Sequence, residues 1–155
     1  MKTLFSDTFL PEPTILAYIA GLFDGEGTVV IRKLGKALCS FQLVAGIAMG
    51  DDRGIRLCAK YFGGKVLRYT HKQENASPYY RWHLTGRAAY EFLQSIQSLL
   101  QVKGEASRIG IDFFEQYWRA QRQAITPQRI KAGESARQAL ALLHPMSAKL
   151  GRTYK

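Results

Sequence analysis

The chain has 155 residues, enough for one compact domain, and 46% hydrophobic with 12% aromatic content excludes a disordered polymer. Lysine and arginine number 22 against 12 acidic residues, and the formal net charge of +10 points to a polyanionic partner, nucleic acid before an anionic membrane surface. Cys39 and Cys58 form neither a disulfide framework nor a zinc signature and read as reduced thiols. The start has no apolar signal core and no apolar run approaches the ~18 residues of a membrane span, so an intracellular protein with no targeting peptide and no membrane partner is expected.

Pro11 and Pro13 punctuate an N-terminal arm, and Thr14 is read as the cap of a first helix through Phe23, stopped by Gly25 and Gly27. Residues 28–32 are β-branched and read as a strand, 33–38 with Gly35 as a turn, and 40–49 as the returning strand. Gly50, Asp51 and Asp52 break that hairpin and cap a helix over 53–62, with Ile55, Leu57, Cys58, Tyr61 and Phe62 apolar. After Gly63 and Gly64 a second hairpin pairs 65–72 with 79–84. Helices are predicted over 85–100, 104–123 and 126–144, the last opened by Thr126 and Pro127. The order αββαββα predicts an α+β fold. It has a four-stranded antiparallel sheet, helices on one face, extra C-terminal helices, and the other sheet face free for a ligand. One domain spans 1–155, with a core over 14–123, a C-terminal helix over 126–144 and a basic tail over 147–155.

The first helix carries the chemistry. Ala17, Ala20, Gly21 and Asp24 fall along one side of it, where small residues let two helix backbones approach closely, and Gly25 adds no side chain to hold them apart. Glu26 is expected just past the helix end, close to any second helix that packs there and to an acid that such a helix carries. Paired carboxylates are costly to ionise unless a cation joins them, and Mg²⁺ suits such oxygen ligands.

Residues 19–27, Ile-Ala-Gly-Leu-Phe-Asp-Gly-Glu-Gly, resemble the LAGLIDADG homing-endonuclease signature at all nine positions, allowing conservative exchanges. The resemblance covers roughly 14–107, and single-motif members of that family are two-fold dimers with the motif helices at the axis. It implies a sequence-specific, metal-dependent DNA endonuclease that hydrolyses phosphodiester bonds across the minor groove and leaves short 3′ overhangs. By the same resemblance Glu26 is the essential metal ligand, the Gly25 carbonyl helps to coordinate Mg²⁺ (with Mn²⁺ as a substitute), and Asp24 caps or hydrogen-bonds at the helix interface. Lys103 matches a lysine that organises water and phosphate charge in relatives, and Arg53 matches a basic position there, although a phosphate clamp or a plain surface arginine fits Arg53 equally. Relatives often carry a glutamine near the end of the second strand. Met49 or a neighbour stands in its place here, which leaves the water-positioning role unassigned.

Strand alternation sorts the sheet into faces. Val29, Ile31, Phe41, Leu43, Ala45, Ile47, Leu67, Tyr69, Tyr80, Trp82 and Leu84 are expected to face the helices. Thr28, Val30, Arg32, Ser40, Gln42, Val44, Gly46, Ala48, Val66, Arg68, Thr70, Lys72, Tyr79, Arg81 and His83 are expected to face outward. Arg and Gln suit guanine and adenine edges in the major groove. Lys36 in the first turn and the tail residues Lys149, Arg152 and Lys155 would touch phosphates. A closed dimer implies double-stranded DNA with a long pseudo-palindromic site. Two further readings share this surface: a maturase that binds its host intron RNA, and a catalytically silent DNA-binding regulator. The resemblance places the protein in a bacterial or phage cytoplasm, or in the interior of an organelle that encodes it.

Overall fold

The computed structural model describes residues 11–34, 40–70, 77–119 and 126–143. Lys36, Cys39, Lys72 and the tail residues Lys149, Arg152 and Lys155 lie outside them. Helix α1 (Pro13–Glu26) leads into β1 (Gly27–Leu34) and β2 (Ser40–Met49), then α2 (Arg53–Phe62), β3 (Lys65–Tyr69), β4 (Tyr79–Thr85) and α3 (Gly86–Ile96). A 3₁₀ turn (Gln97–Leu99) follows, then α4 (Gly104–Arg119) and α5 (Pro127–Leu143). The four strands form one antiparallel sheet in the order β1-β2-β4-β3. No helix among the described residues is long and apolar enough to cross a membrane.

Helix α1 starts two residues earlier than expected. Pro13 occupies its first turn, where a preset φ and a missing N–H cost nothing, and Glu12 rather than Thr14 is the cap position. The helix also runs through Gly25, so Glu26 is its last residue instead of lying beyond it. The stop comes at Gly27, where a Cβ would fall 2.4 Å from the Phe23 ring and carbonyl. Only glycine lets the chain turn there directly from helix to strand.

The core fills the layer between sheet and helices. Phe92 of α3 is its hub, with ring centroids 5.3 Å from Phe23, 4.9 Å from Phe62 and 5.2 Å from Trp82, all edge-to-face. Four elements (α1, α2, β4 and α3) therefore meet on one ring. Trp82 is fully buried, and its Nε1–H donates to the Gly63 carbonyl at 2.7 Å. The Cys58 thiol is buried in the same layer, and that burial pushes its pKa up to about 12, as an inert structural cysteine requires.

The faces of β1, β2 and β4 follow the expected alternation, but β3 does not. Val66 pairs with Trp82 and Arg68 with Tyr80, so Val66 and Arg68 lie on the helix side, while Lys65, Leu67 and Tyr69 lie on the open side. Leu67 and Tyr69 are thus outward rather than inward, and Val66 and Arg68 are not on the outward face; Thr70 lies just past the end of the strand. A slip of one residue inverts a whole strand. Here the phase is set by the Gly63-Gly64 turn, both residues at positive φ (72° and 84°), and by Val66 packing under Trp82.

A side chain at position 64 meets strain twice over, from φ and from a Cβ only 2.9 Å from Trp82 Nε1. Gly64→Ala is expected to destabilise the fold by about 2 kcal/mol, measured as a lower urea midpoint with unchanged slope; an unaltered midpoint contradicts this account of β3.

Candidate active site and nucleic-acid interface

The C-terminal end of α1 and the turn before α4 are bound to each other in both directions. The Asp24 carboxylate accepts the backbone N–H of Gln101 at 2.6 Å (Oδ2), and those of Val102 at 3.1 Å and Lys103 at 2.9 Å (both Oδ1). These are donors that a helix beginning at Gly104 leaves without intrahelical partners. In return Lys103 Nζ donates to the carbonyl oxygens of Asp24 and, at 3.3 Å, of Gly25, acceptors at the end of α1. An anion sits at one helix start and a cation at another helix end, both favoured by the peptide dipoles. Burial acts to raise the Asp24 pKa, but the three N–H donors and the Lys103 charge outweigh it and hold the carboxyl below its ordinary value.

Lys103 is only 9% exposed and stays at the motif helix. The Gly25 carbonyl, expected as a metal ligand, already accepts from Lys103 Nζ. Asp24, placed in the dimer interface by sequence, has its carboxylate committed within the chain. Glu26 is exposed, and no hydrogen bond or ion pair engages it among the described residues. Arg53 sits at the start of α2, where Asp51 holds it: Nε lies 3.0 and 2.9 Å from the two carboxylate oxygens, and the Arg53 N–H donates to Oδ1 at 2.9 Å. Hydrogen bonds from the Arg53 side chain, then from its backbone, lower the Asp51 pKa to about 2. Sequence reasoning named Arg53 and missed this partner two residues away.

Helix α1 has an outer stripe. Ala17, Tyr18, Gly21 and Gly25 are exposed, Tyr18 by 54%. Ala20, expected on this stripe, is 0% exposed and packs in the core with Ile19 and Phe23. A Cβ at Gly21 or Gly25 would meet nothing within 4 Å. Both have negative φ inside a helix, where glycine costs roughly 1 kcal/mol relative to alanine. No contact among the described residues accounts for that cost. Among the described residues no three His, Cys, Asp or Glu side chains gather as a metal cage. What the chain presents at this helix end is the exposed Glu26 carboxylate and the Gly25 carbonyl, which already accepts from the Lys103 ammonium.

The open sheet face is basic for a simple reason: the four strands contain no aspartate or glutamate, and of their cations Arg32, Lys65 and Arg81 lie on that face, while Lys33 and Arg68 lie on the helix side. Lys33 points to the helix side and pairs with Glu134 at 3.0 Å. Thr28, Val30, Arg32, Gln42, Ala48, Tyr79, Arg81 and His83 line the open face as expected, joined by Lys65, Leu67 and Tyr69. Val44 belongs to that face but is 5% exposed, closed in by its cross-strand neighbours Val30 and Thr85. Ser40 is half-buried with its hydroxyl 3.4 Å from that of Tyr117. His83 is half-buried over Gly46, where a Cβ would fall 2.9 Å from the histidine Cβ, and its Nδ1 has no hydrogen-bond partner among the described residues.

No protein-family model matches the chain, and no curated protein matches it in sequence. Solved structures do match in shape. I-CvuI, a homing endonuclease in complex with target DNA, is 15% identical over 83% of this chain and 80% of its own, with a TM-score of 0.64. The archaeal intron-encoded homing endonuclease I-Vdi141I, complexed with DNA, is 14% identical over 86% of each chain, with a TM-score of 0.68. The LAGLIDADG homing endonuclease I-SmaMI, bound to cleaved DNA, is 16% identical over 88% of this chain, with a TM-score of 0.55, and this chain spans 49% of its length. An α+β protein with one basic open sheet face and a glycine-bearing helix beside it is thus the class defined here. The fold is that of the LAGLIDADG homing endonucleases, the family that residues 19–27 resemble in sequence.

Asp24→Ala removes the acceptor for three backbone N–H groups. Faster amide exchange at residues 101–103 and a stability loss of about 1–2 kcal/mol are expected; unchanged exchange there would show that the turn before α4 holds without Asp24.

Proposed function

We propose that the chain is a sequence-specific, metal-dependent double-strand DNA endonuclease that works as a homodimer. The observation that carries this reading is the free Glu26 carboxylate at the end of a helix whose exposed side carries glycines, beside a sheet face whose strands contain no acid. The fold relatives support it: I-CvuI was solved on DNA in the presence of magnesium and of calcium, and I-SmaMI on cleaved DNA.

Two copies pack α1 against α1 through Ala17, Gly21 and Gly25, which explains two otherwise unneeded helical glycines. The assembly brings two Glu26 carboxylates together, with the Gly25 carbonyls beside them, to hold a divalent cation such as Mg²⁺, with Mn²⁺ as a substitute. Such an ion lowers the pKa of a water and neutralises phosphate charge. Lys103 keeps its ammonium at the same helix end, a fixed positive charge for the scissile phosphate and the leaving 3′ oxygen. The exposed Arg53, oriented by Asp51, adds charge from the start of α2. Arg32, Lys65 and Arg81 engage the duplex across the sheet. Two-fold symmetry gives a long pseudo-palindromic target cut across the minor groove, leaving short 3′ overhangs.

Two variants test the two halves of this reading. Glu26→Gln should bind duplexes selected by the wild type yet cut them at least 1000-fold more slowly in Mg²⁺; cleavage at the wild-type rate removes Glu26 from the chemistry. Gly21→Leu adds a side chain into open space, so the circular dichroism spectrum should persist while light scattering falls from the dimer mass to the monomer mass. A dimer that survives this change assembles through another surface.

A further inference from the structure

The cations of the open face differ in how they are held. Arg32 and Lys65 have no aromatic support and no carboxylate partner among the described residues. Arg81 is braced. Its guanidinium carbon lies 5.3 Å from the ring centroid of Tyr69 and 6.0 Å from that of Tyr79. The two rings are stacked, 5.2 Å apart and 14° from parallel. The strand register builds this cluster: Tyr69 lies directly opposite Tyr79, and Arg81 is two residues along β4 on the same face, within diagonal reach of Tyr69. Opposite Arg81 on its other side is Ala48, too short to cover it. No carboxylate pairs with Arg81 among the described residues.

A guanidinium resting on aromatic rings gives up much of its rotamer freedom before any ligand arrives, so less is lost on binding. Its planar fork of donors matches the O6 and N7 acceptors of guanine, which a lysine ammonium meets only as a point charge. A phosphate can take the same fork but carries no base identity, so a selected base profile tells the two contacts apart. Resting on the reading of the open face as the DNA interface, we propose that Arg81 determines one guanine in each half-site and that the Tyr69–Tyr79 stack is its positioning device.

The test is selection of bound duplexes from a randomised library by the full chain, comparing the wild type with Arg81→Lys, Tyr69→Leu and Tyr69→Phe. The wild type should require guanine at one symmetric pair of positions. Arg81→Lys should relax that pair by roughly tenfold or more and leave the remaining profile intact. Tyr69→Leu should relax the same pair by a smaller factor, and Tyr69→Phe, which keeps the ring, should restore it. A uniform loss of affinity in Arg81→Lys with an unchanged profile makes Arg81 a phosphate contact and overturns the proposal. An unchanged profile in Tyr69→Leu overturns the positioning role. A wild type that enriches no duplex sequence overturns the wider DNA-reading assignment as well, so the two failures are told apart. If Tyr69→Leu does not fold, the Arg81→Lys profile alone decides whether guanine is read.

Discussion

Two segments 77 residues apart in sequence meet at the end of α1, and each supplies what the other lacks. Asp24 provides an acceptor for the unpaired N–H groups before α4, and Lys103 provides a donor for carbonyls that end α1. A helix terminus withdrawn from water without such partners is costly. Because both termini are satisfied together, α1 and α4 cannot shift independently. The position of Glu26, two residues beyond Asp24, follows from this exchange, and so does the burial of Lys103 beside it. The rest of the site is arranged around a helix end that is held from behind and open in front.

The same economy appears in how α1 is divided. Ile19, Ala20 and Phe23 face the core, where Phe23 packs edge-on against Phe92. The opposite side carries Ala17, Tyr18, Gly21 and Gly25. Gly54 of α2 is buried close by, where a Cβ would fall 2.8 Å from Leu22, so α2 begins directly against α1. That close approach sets Arg53 and Asp51 at the shoulder of the motif helix and leaves the glycine stripe clear.

Most of the architecture could be read from the chain because its punctuation is strong. Pro13, Gly27, the Gly63-Gly64 pair and Thr126-Pro127 bound nearly every element within a residue or two, and β-branched and aromatic residues fix the phase of β1, β2 and β4. Strand β3 failed for a definite reason: Lys65-Val66-Leu67-Arg68-Tyr69 offers apolar residues to both faces, and the choice between them is made by Trp82 on the neighbouring strand. Ala20 was misplaced because α1 is apolar nearly all round, so small residues alone do not reveal which side is inside. The Asp24 partners carry no local signal at all, being backbone groups that only the fold brings near. Tyr69 was hidden by the same phase error, and with it the support beneath Arg81. The roles proposed for Glu26 and Lys103 rest on motif resemblance rather than on periodicity.

The acid-free strands have a further consequence for how the surface behaves before it holds anything. A sheet face without internal counter-charges must borrow them, and in water it gathers small mobile anions. A polymer of phosphates that docks there displaces those ions and sheds its own condensed cations, a gain that shrinks as ionic strength rises. At about 0.1 M salt the pull decays over roughly 10 Å. If this face is the DNA interface proposed above, it would hold any duplex loosely and without regard to sequence at first contact, so that the chain could move along it until the few oriented side chains find their match.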